Sequence, residues 1–179
     1  MNIQLLPLRE EETIAFKEEM QEAFQQGFQA HFPNEEGNNQ WQVLPDKDFY
    51  QSLNAVGAET YEALAVDGRR VGGAIIVIKA DEHRGELAFL YVKVGVQSKG
   101  IGQAIWKAIE TMHPEIEVWE TCTPYFDRRN IHFYINRCGF HAVEFFNEHH
   151  PDPNMPEQFD QEDGLFKFEK RMKQEQKTQ

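Results

Sequence analysis

Apolar positions fall into two periods along the chain. Over residues 10–30, Ile14, Met20, Ala23, Phe24 and Phe28 recur at mostly three- and four-residue steps, and over 101–112 Ile101, Ile105, Ala108, Ile109 and Met112 do the same. Both stretches predict amphipathic helices whose stripes face a core. Shorter runs rich in β-branched and aromatic residues, at 3–8, 61–79, 85–94, 117–123, 140–147 and 164–172, predict strands. The 61–79 run breaks at Asp67-Gly68, a two-residue hairpin signal, so it reads as two antiparallel strands that continue into 85–94. A short helix is expected near 46–56, and another over 125–138, closed by Gly139. Pro114 ends the helix before it. Residues 31–45 and 149–163, rich in Asn, Gly and Pro or acidic residues, read as loops.

The element order predicts an α/β (α+β) domain with a mixed, mostly antiparallel sheet of about six to seven strands flanked by helices. A chain of 179 residues fits one such domain, expected over 1–172, with a polar tail at 173–179. Thirty acidic residues against eighteen basic ones give a formal net charge of −12, which argues against nucleic acid and favours cationic partners. The N-terminal residues lack the pattern of a secretory leader, and no apolar run reaches the ~18 residues of a membrane span, so a cytoplasmic protein without membrane contact is expected. Cys122 and Cys138 lack CxxC spacing, and Cys122 reads as a small buried strand thiol rather than a nucleophile paired with His132. His149-His150 near Asp152 lacks a third spaced ligand, so no metal is assigned.

Chemistry enters at residues 94–110, VGVQSKGIGQAIWKAIE. Gln97, Gly100 and Gly102 stand at the spacing Q-x-x-G-x-G, after a strand and at the start of a helix. A helix that begins at a glycine-rich turn offers unpaired N–H groups and the positive end of its dipole, which together attract phosphate. Lys99 adds a cation, and the two glycines remove Cβ atoms that would hold a pyrophosphate away. Neither a P-loop nor the three-glycine dinucleotide fingerprint is present, since Ile105 stands where the third glycine would be. The hairpin also disfavours a Rossmann-type nucleotide module.

This motif resembles the phosphate loop of the GCN5-related N-acetyltransferase (GNAT) superfamily, Q/R-x-x-G-x-G/A after the fourth strand. A second block is similar too, with Asn130, then Phe133-Tyr134, then Gly139-Phe140. The resemblance implies acetyl-CoA as cosubstrate, its pyrophosphate on Gln97, Ser98, Lys99, Gly100, Ile101, Gly102 and Gln103. It implies a pantetheine arm along Leu90, Tyr91 and Val92, with Asn130 and Phe133 beside it, in a notch where the fourth and fifth strands splay. An N–H near Tyr91 or Val92 would stabilise the developing oxyanion. Tyr134 matches the family tyrosine near the coenzyme sulfur and is expected to protonate the leaving thiolate. Glu86 and Glu120 are alternative bases for the attacking ammonium. Phe28, Phe32 and Trp41 are expected to line the acceptor pocket, and the resemblance implies a small-molecule or peptide amine as acceptor, with room for a homodimer. A non-catalytic acyl-CoA sensor remains the alternative.

Overall fold

The computed structural model describes residues 2–32, 42–96, 100–153 and 164–173. Seven strands form a single sheet in the order β1-β2-β3-β4-β5-β7-β6. They are β1 (Ile3–Pro7), β2 (Ala58–Ala65), β3 (Arg70–Lys79), β4 (Arg84–Val92), β5 (Val118–Pro124), β6 (His141–Phe146) and β7 (Leu165–Arg171). All neighbouring pairs run antiparallel except β4 and β5, which are parallel. A parallel pair needs a crossover connection, and α3 (Ile101–Met112) supplies it. The expected Asp67-Gly68 hairpin forms, with Asp67 accepting a hydrogen bond from the Arg69 amide at 3.1 Å.

Each face of the sheet carries its own core. On one, Ile101, Ile105, Trp106 and Ile109 of α3 pack with Ile76, Leu87, Trp119, Tyr134 and Phe168. On the other, α1 (Thr13–His31) and α2 (Asp46–Leu53) bury Phe16, Met20 and Phe49 against Ile75 and Tyr91. The α1 stripe is rotated from the expected one. Phe16 is fully buried, whereas Ile14 is 63% exposed. Met112, at the last turn of α3, also reaches solvent.

Three further expectations need correction. The helix read over 125–138 is a short α4 (Arg128–His132) followed by a π-helical turn, Phe133–Arg137. Asp127 sets the later start, because its carboxylate accepts from the Asn130 amide at 3.0 Å and leaves Tyr125 and Phe126 in the preceding loop. Gly139 does end the segment, at φ +81°. Cys122 is exposed rather than buried, since it lies on the open face of β5, and Cys138 is the buried thiol. The short helix after residue 45 stops at Leu53.

Candidate active site

The site begins where β4 and β5 part. Their pairing runs only from Arg84↔Val118 to Glu86↔Glu120. One residue further on, the Thr121 hydroxyl donates to the Leu87 carbonyl at 2.9 Å, a side chain taking the place of the next backbone bond. Beyond it no β4–β5 pairing exists among the described residues, so the β5-facing edge of β4 is left open. A bulge helps to force the split. Opposite Ile76 and Ile75 stand Leu87 and Phe89, so Ala88 is the extra residue. Leu87 therefore belongs to the α3 face, while Ala88 and Phe89 both turn to the α1 face. Bulges bend a strand and re-aim its side chains, often beside active sites. Past the bulge, Leu90 and Val92 pack on the α3 face. Tyr91 points the other way and donates its hydroxyl to Glu19 at 3.0 Å, so only its backbone is available to the split.

The closed end of the split holds both candidate bases, paired across the strands in environments that push them apart. Burial raises the Glu86 carboxyl above the ordinary range, the nearby Glu120 charge adds to that, and Lys79 and Lys167 only partly oppose it. Among the described residues Glu86 makes no ion pair. Glu120 is bonded to Arg84, which also holds Glu169 at 2.8 Å, and lies 3.5 Å from Lys167. Burial alone would raise Glu120, but the Arg84 hydrogen bond and the Lys167 charge outweigh it and hold the group low. Glu120 is thus held in ion pairs with Arg84 and Lys167, whereas Glu86 has none among the described residues.

At the start of α3, Gly100 adopts φ +99°, and neither a side-chain cap nor an acidic residue blocks the first turn. The first hydrogen bond of the helix runs from the Ala104 amide to the Gly100 carbonyl at 2.9 Å, which leaves the amides of Ile101, Gly102 and Gln103 without helical partners. A Cβ on Gly100 would meet nothing within 4 Å, so the space on that side of Gly100 is open. Gly102 works differently from the expectation. Its Cβ would point inward, 3.2 Å from the Phe133 ring and 3.6 Å from Leu90, so the missing side chain lets Phe133 and β4 close on α3. Ile101 is buried beneath the turn, and the Gln103 side-chain nitrogen donates to the Arg137 carbonyl at 2.9 Å. Gln97, Ser98 and Lys99 lie outside the described residues.

Tyr134 sits on the π-helical turn, buried among Phe133, Phe140 and Phe168 with its phenol beside Thr121. It therefore reaches the strand junction from the α3 side. Burial first, and the neighbouring Cys138, push its phenol well above the ordinary range, so it keeps its proton. A π-turn shifts the register of a helix locally and is frequent at functional sites. Asn130 is fixed by Asp127, which accepts from its side-chain nitrogen at 2.7 Å.

The aromatic residues of α1 occupy the opposite side. Phe24 packs edge-on to Phe89 at 5.8 Å, and one turn later Phe28 meets Phe32 at 4.7 Å. Both reach Phe126, in the loop after β5, at 5.7 and 5.3 Å. The structure thus brings Phe28 and Phe32 together, adds Phe126, which periodicity had assigned to a helix, and leaves Trp41 outside the described residues. Thr121, Ala88 and Arg84 were also not foreseen. The apposition of Glu86 to Glu120 could not be seen without knowing the register.

A model of the acetyltransferase (GNAT) family matches residues 15–140, well over half the chain. The chain belongs to that family. This GNAT protein is 43% identical over 147 residues to YrkN, an uncharacterised protein of Bacillus subtilis strain 168, covering 82% of this chain and 77% of the relative. Its fold is similar to the ribosomal-protein-S18-alanine N-acetyltransferase of Escherichia coli, with a TM-score of 0.66 at 10% identity and 99% of each chain covered. It is also similar to a GNAT acetyltransferase from Elizabethkingia anophelis solved with acetyl-CoA bound, with a TM-score of 0.64 at 14% identity over 96% of this chain and 99% of that one. Among the described residues no helix is long and apolar enough to cross a membrane.

Proposed function

We propose that this GNAT protein transfers the acetyl group of acetyl-CoA to a primary amine of a small molecule or peptide, by direct attack with both substrates bound. The observation that carries the reading is the split of β4 from β5 after Glu86↔Glu120, flanked by the uncapped glycine turn of α3. The open β4 edge suits an amide-bearing arm that adds to it like a strand, and the α3 amides suit the pyrophosphate at its far end. These are two halves of one ligand.

In this reading the amine nitrogen forms a bond to the acetyl carbon, and the carbon–sulfur bond breaks. Glu86 accepts the ammonium proton, directly or through one water, since its desolvated carboxylate is the stronger base of the pair. Glu120 holds Arg84 and shapes the closed end. Tyr134 supplies a proton to the departing sulfur from the α3 side, and Asn130, fixed by Asp127, lines the coenzyme's path. The test is binding followed by turnover. At acetyl-CoA near 100 times its Kd the fold should gain about 2.7 kcal/mol, seen as a higher Tm, and an amine panel read by thiol release should show turnover. An unchanged melting curve at saturating coenzyme sinks the proposal.

A further inference from the structure

Past the bulge β4 pairs with β3 alone, and a single carboxylate on α1 holds it from a second direction. Lys93, just beyond the end of β4, donates its amide to the Val71 carbonyl at 2.9 Å. In an antiparallel ladder every second residue turns its N–H to the same neighbour, so the Tyr91 N–H, opposite Gly73, also faces β3. The peptide between Tyr91 and Val92 therefore aims its N–H, on Val92, toward the side that β5 has left. The side chains of Tyr91 and Lys93 flank that N–H along the strand and share one face of the sheet. Both end on Glu19 of α1. The Tyr91 hydroxyl donates to one carboxylate oxygen at 3.0 Å and the Lys93 ammonium to the other at 2.7 Å.

Glu19 is itself oriented. Arg70 of β3 donates to the same two oxygens at 2.9 and 3.2 Å, and its remaining nitrogen donates to Glu12 and Glu62 at 3.1 and 3.2 Å. A planar fork of this kind fixes a carboxylate in direction as well as in place. Such precision matters most for a backbone donor, because an oxyanion is stabilised well only by groups that are already in position when the charge develops. Resting on the acyl-transfer reading above, we infer that Glu19 is a positioning residue. Held by Arg70, it ties down Tyr91 and Lys93 so that the Val92 N–H stays aimed at the thioester oxygen. The Val92 N–H meets the reacting group, and Glu19 acts only through it.

The experiment compares Glu19→Gln with Glu12→Gln, each assayed well below its own Tm with an amine that the parent protein acetylates. Both take a negative charge from Arg70, but of the two side chains only Glu19 bonds to Tyr91 and Lys93. Glu19→Gln should lower kcat about tenfold, a part of the roughly 10²–10³-fold that outright loss of an oxyanion donor costs, with amine KM and the acetyl-CoA melting shift little changed. Glu12→Gln should keep the parent kcat. With acetyl-CoA isotopically labelled at its carbonyl carbon, the infrared carbonyl stretch of the bound thioester should lie higher on Glu19→Gln than on the parent or Glu12→Gln protein, because a weakened hydrogen bond polarises the carbonyl less. Lys93→Met removes one tie of the two and leaves the Arg70 fork in place, so it should show a smaller loss of kcat in the same sense, and it carries the test if Glu19→Gln does not fold. Equal losses in Glu19→Gln and Glu12→Gln overturn the inference, as does a loss carried by amine KM, or parent kcat with an unmoved stretch in Glu19→Gln and Lys93→Met. If acetyl-CoA fails to raise the Tm of the parent protein, the acyl-transfer reading itself falls.

Discussion

The two faces of the sheet solve different problems. On the α3 face, a continuous apolar core of Ile101, Ile105, Trp106, Trp119 and Phe140 locks the helix so that its first-turn amides stay in place. Its polar groups are the uncapped first-turn amides after Gly100 and buried hydroxyls such as those of Tyr134 and Thr121. The α1 face has a smaller core and relies on charge. Arg70 clamps Glu19 through two nitrogens at 2.9 and 3.2 Å and also reaches Glu12 and Glu62, while Lys93 joins Glu19 at 2.7 Å. Partly buried ion networks of this kind fix a geometry more than they stabilise it. A rigid apolar face suits a ligand common to the whole family, and a face built from side chains of distant elements suits one that differs between members.

The sharpest way to break the comparison is to remove the buried Tyr134 hydroxyl of the α3 face. Tyr134→Phe keeps the ring and its packing, so kcat should fall by roughly 10²–10⁴-fold with coenzyme affinity little changed, as steady-state kinetics would show. Parent-like turnover would return Tyr134 to the core. On the α1 face the largest structural effect belongs to Phe16. Chemical denaturation of Phe16→Ala should show a loss of about 3–5 kcal/mol, whereas Ile14→Ala on the exposed side of the same helix should stay within about 0.5 kcal/mol.

Gly100→Val tests whether backbone alone makes the anion site. A β-branched residue is strained at φ +99°, so the turn should reorganise and the coenzyme-dependent rise of about 2.7 kcal/mol should vanish in a melting assay. A full shift in the variant would move the anion site elsewhere.

The smallest effect separates the two carboxylates by their pH dependence. Glu86 has a raised pKa in the folded state, so its contribution is fully present below the unfolded carboxylate pKa and is lost as pH rises through the folded value. Glu86→Gln should therefore raise Tm slightly at pH 7 and not at pH 4. Glu120 is lowered, so its contribution is present above the unfolded pKa and is lost on acidification through the folded value. Glu120→Gln should lower Tm at pH 7, with the difference shrinking in acid. In kinetics, Glu86→Gln should cost most kcat/KM at low pH, where free amine is scarce, and a parent-like profile would remove its role as base.

What the sequence determined by itself was whatever depends on neighbours along the chain. Period-3.6 and period-2 patterns placed α1, α3 and the strands, because burial of one face repeats within each element. Asp67-Gly68 announced its hairpin, and Gly100 announced a helix start, because both needs are local. The tertiary structure alone decided the rest. The bulge at Ala88 leaves no mark in composition, yet it turns Ala88 and Phe89 to one face and helps to part β4 from β5. Glu86 and Glu120 were indistinguishable as strand carboxylates until register set them opposite each other and gave the ion pairs with Arg84 and Lys167 to Glu120. Phe126 passed for a helical residue until Asp127 capped the helix after it. In each case the deciding partner lies far away in sequence or on another strand, and desolvation and Coulomb interactions follow distance in space rather than along the chain.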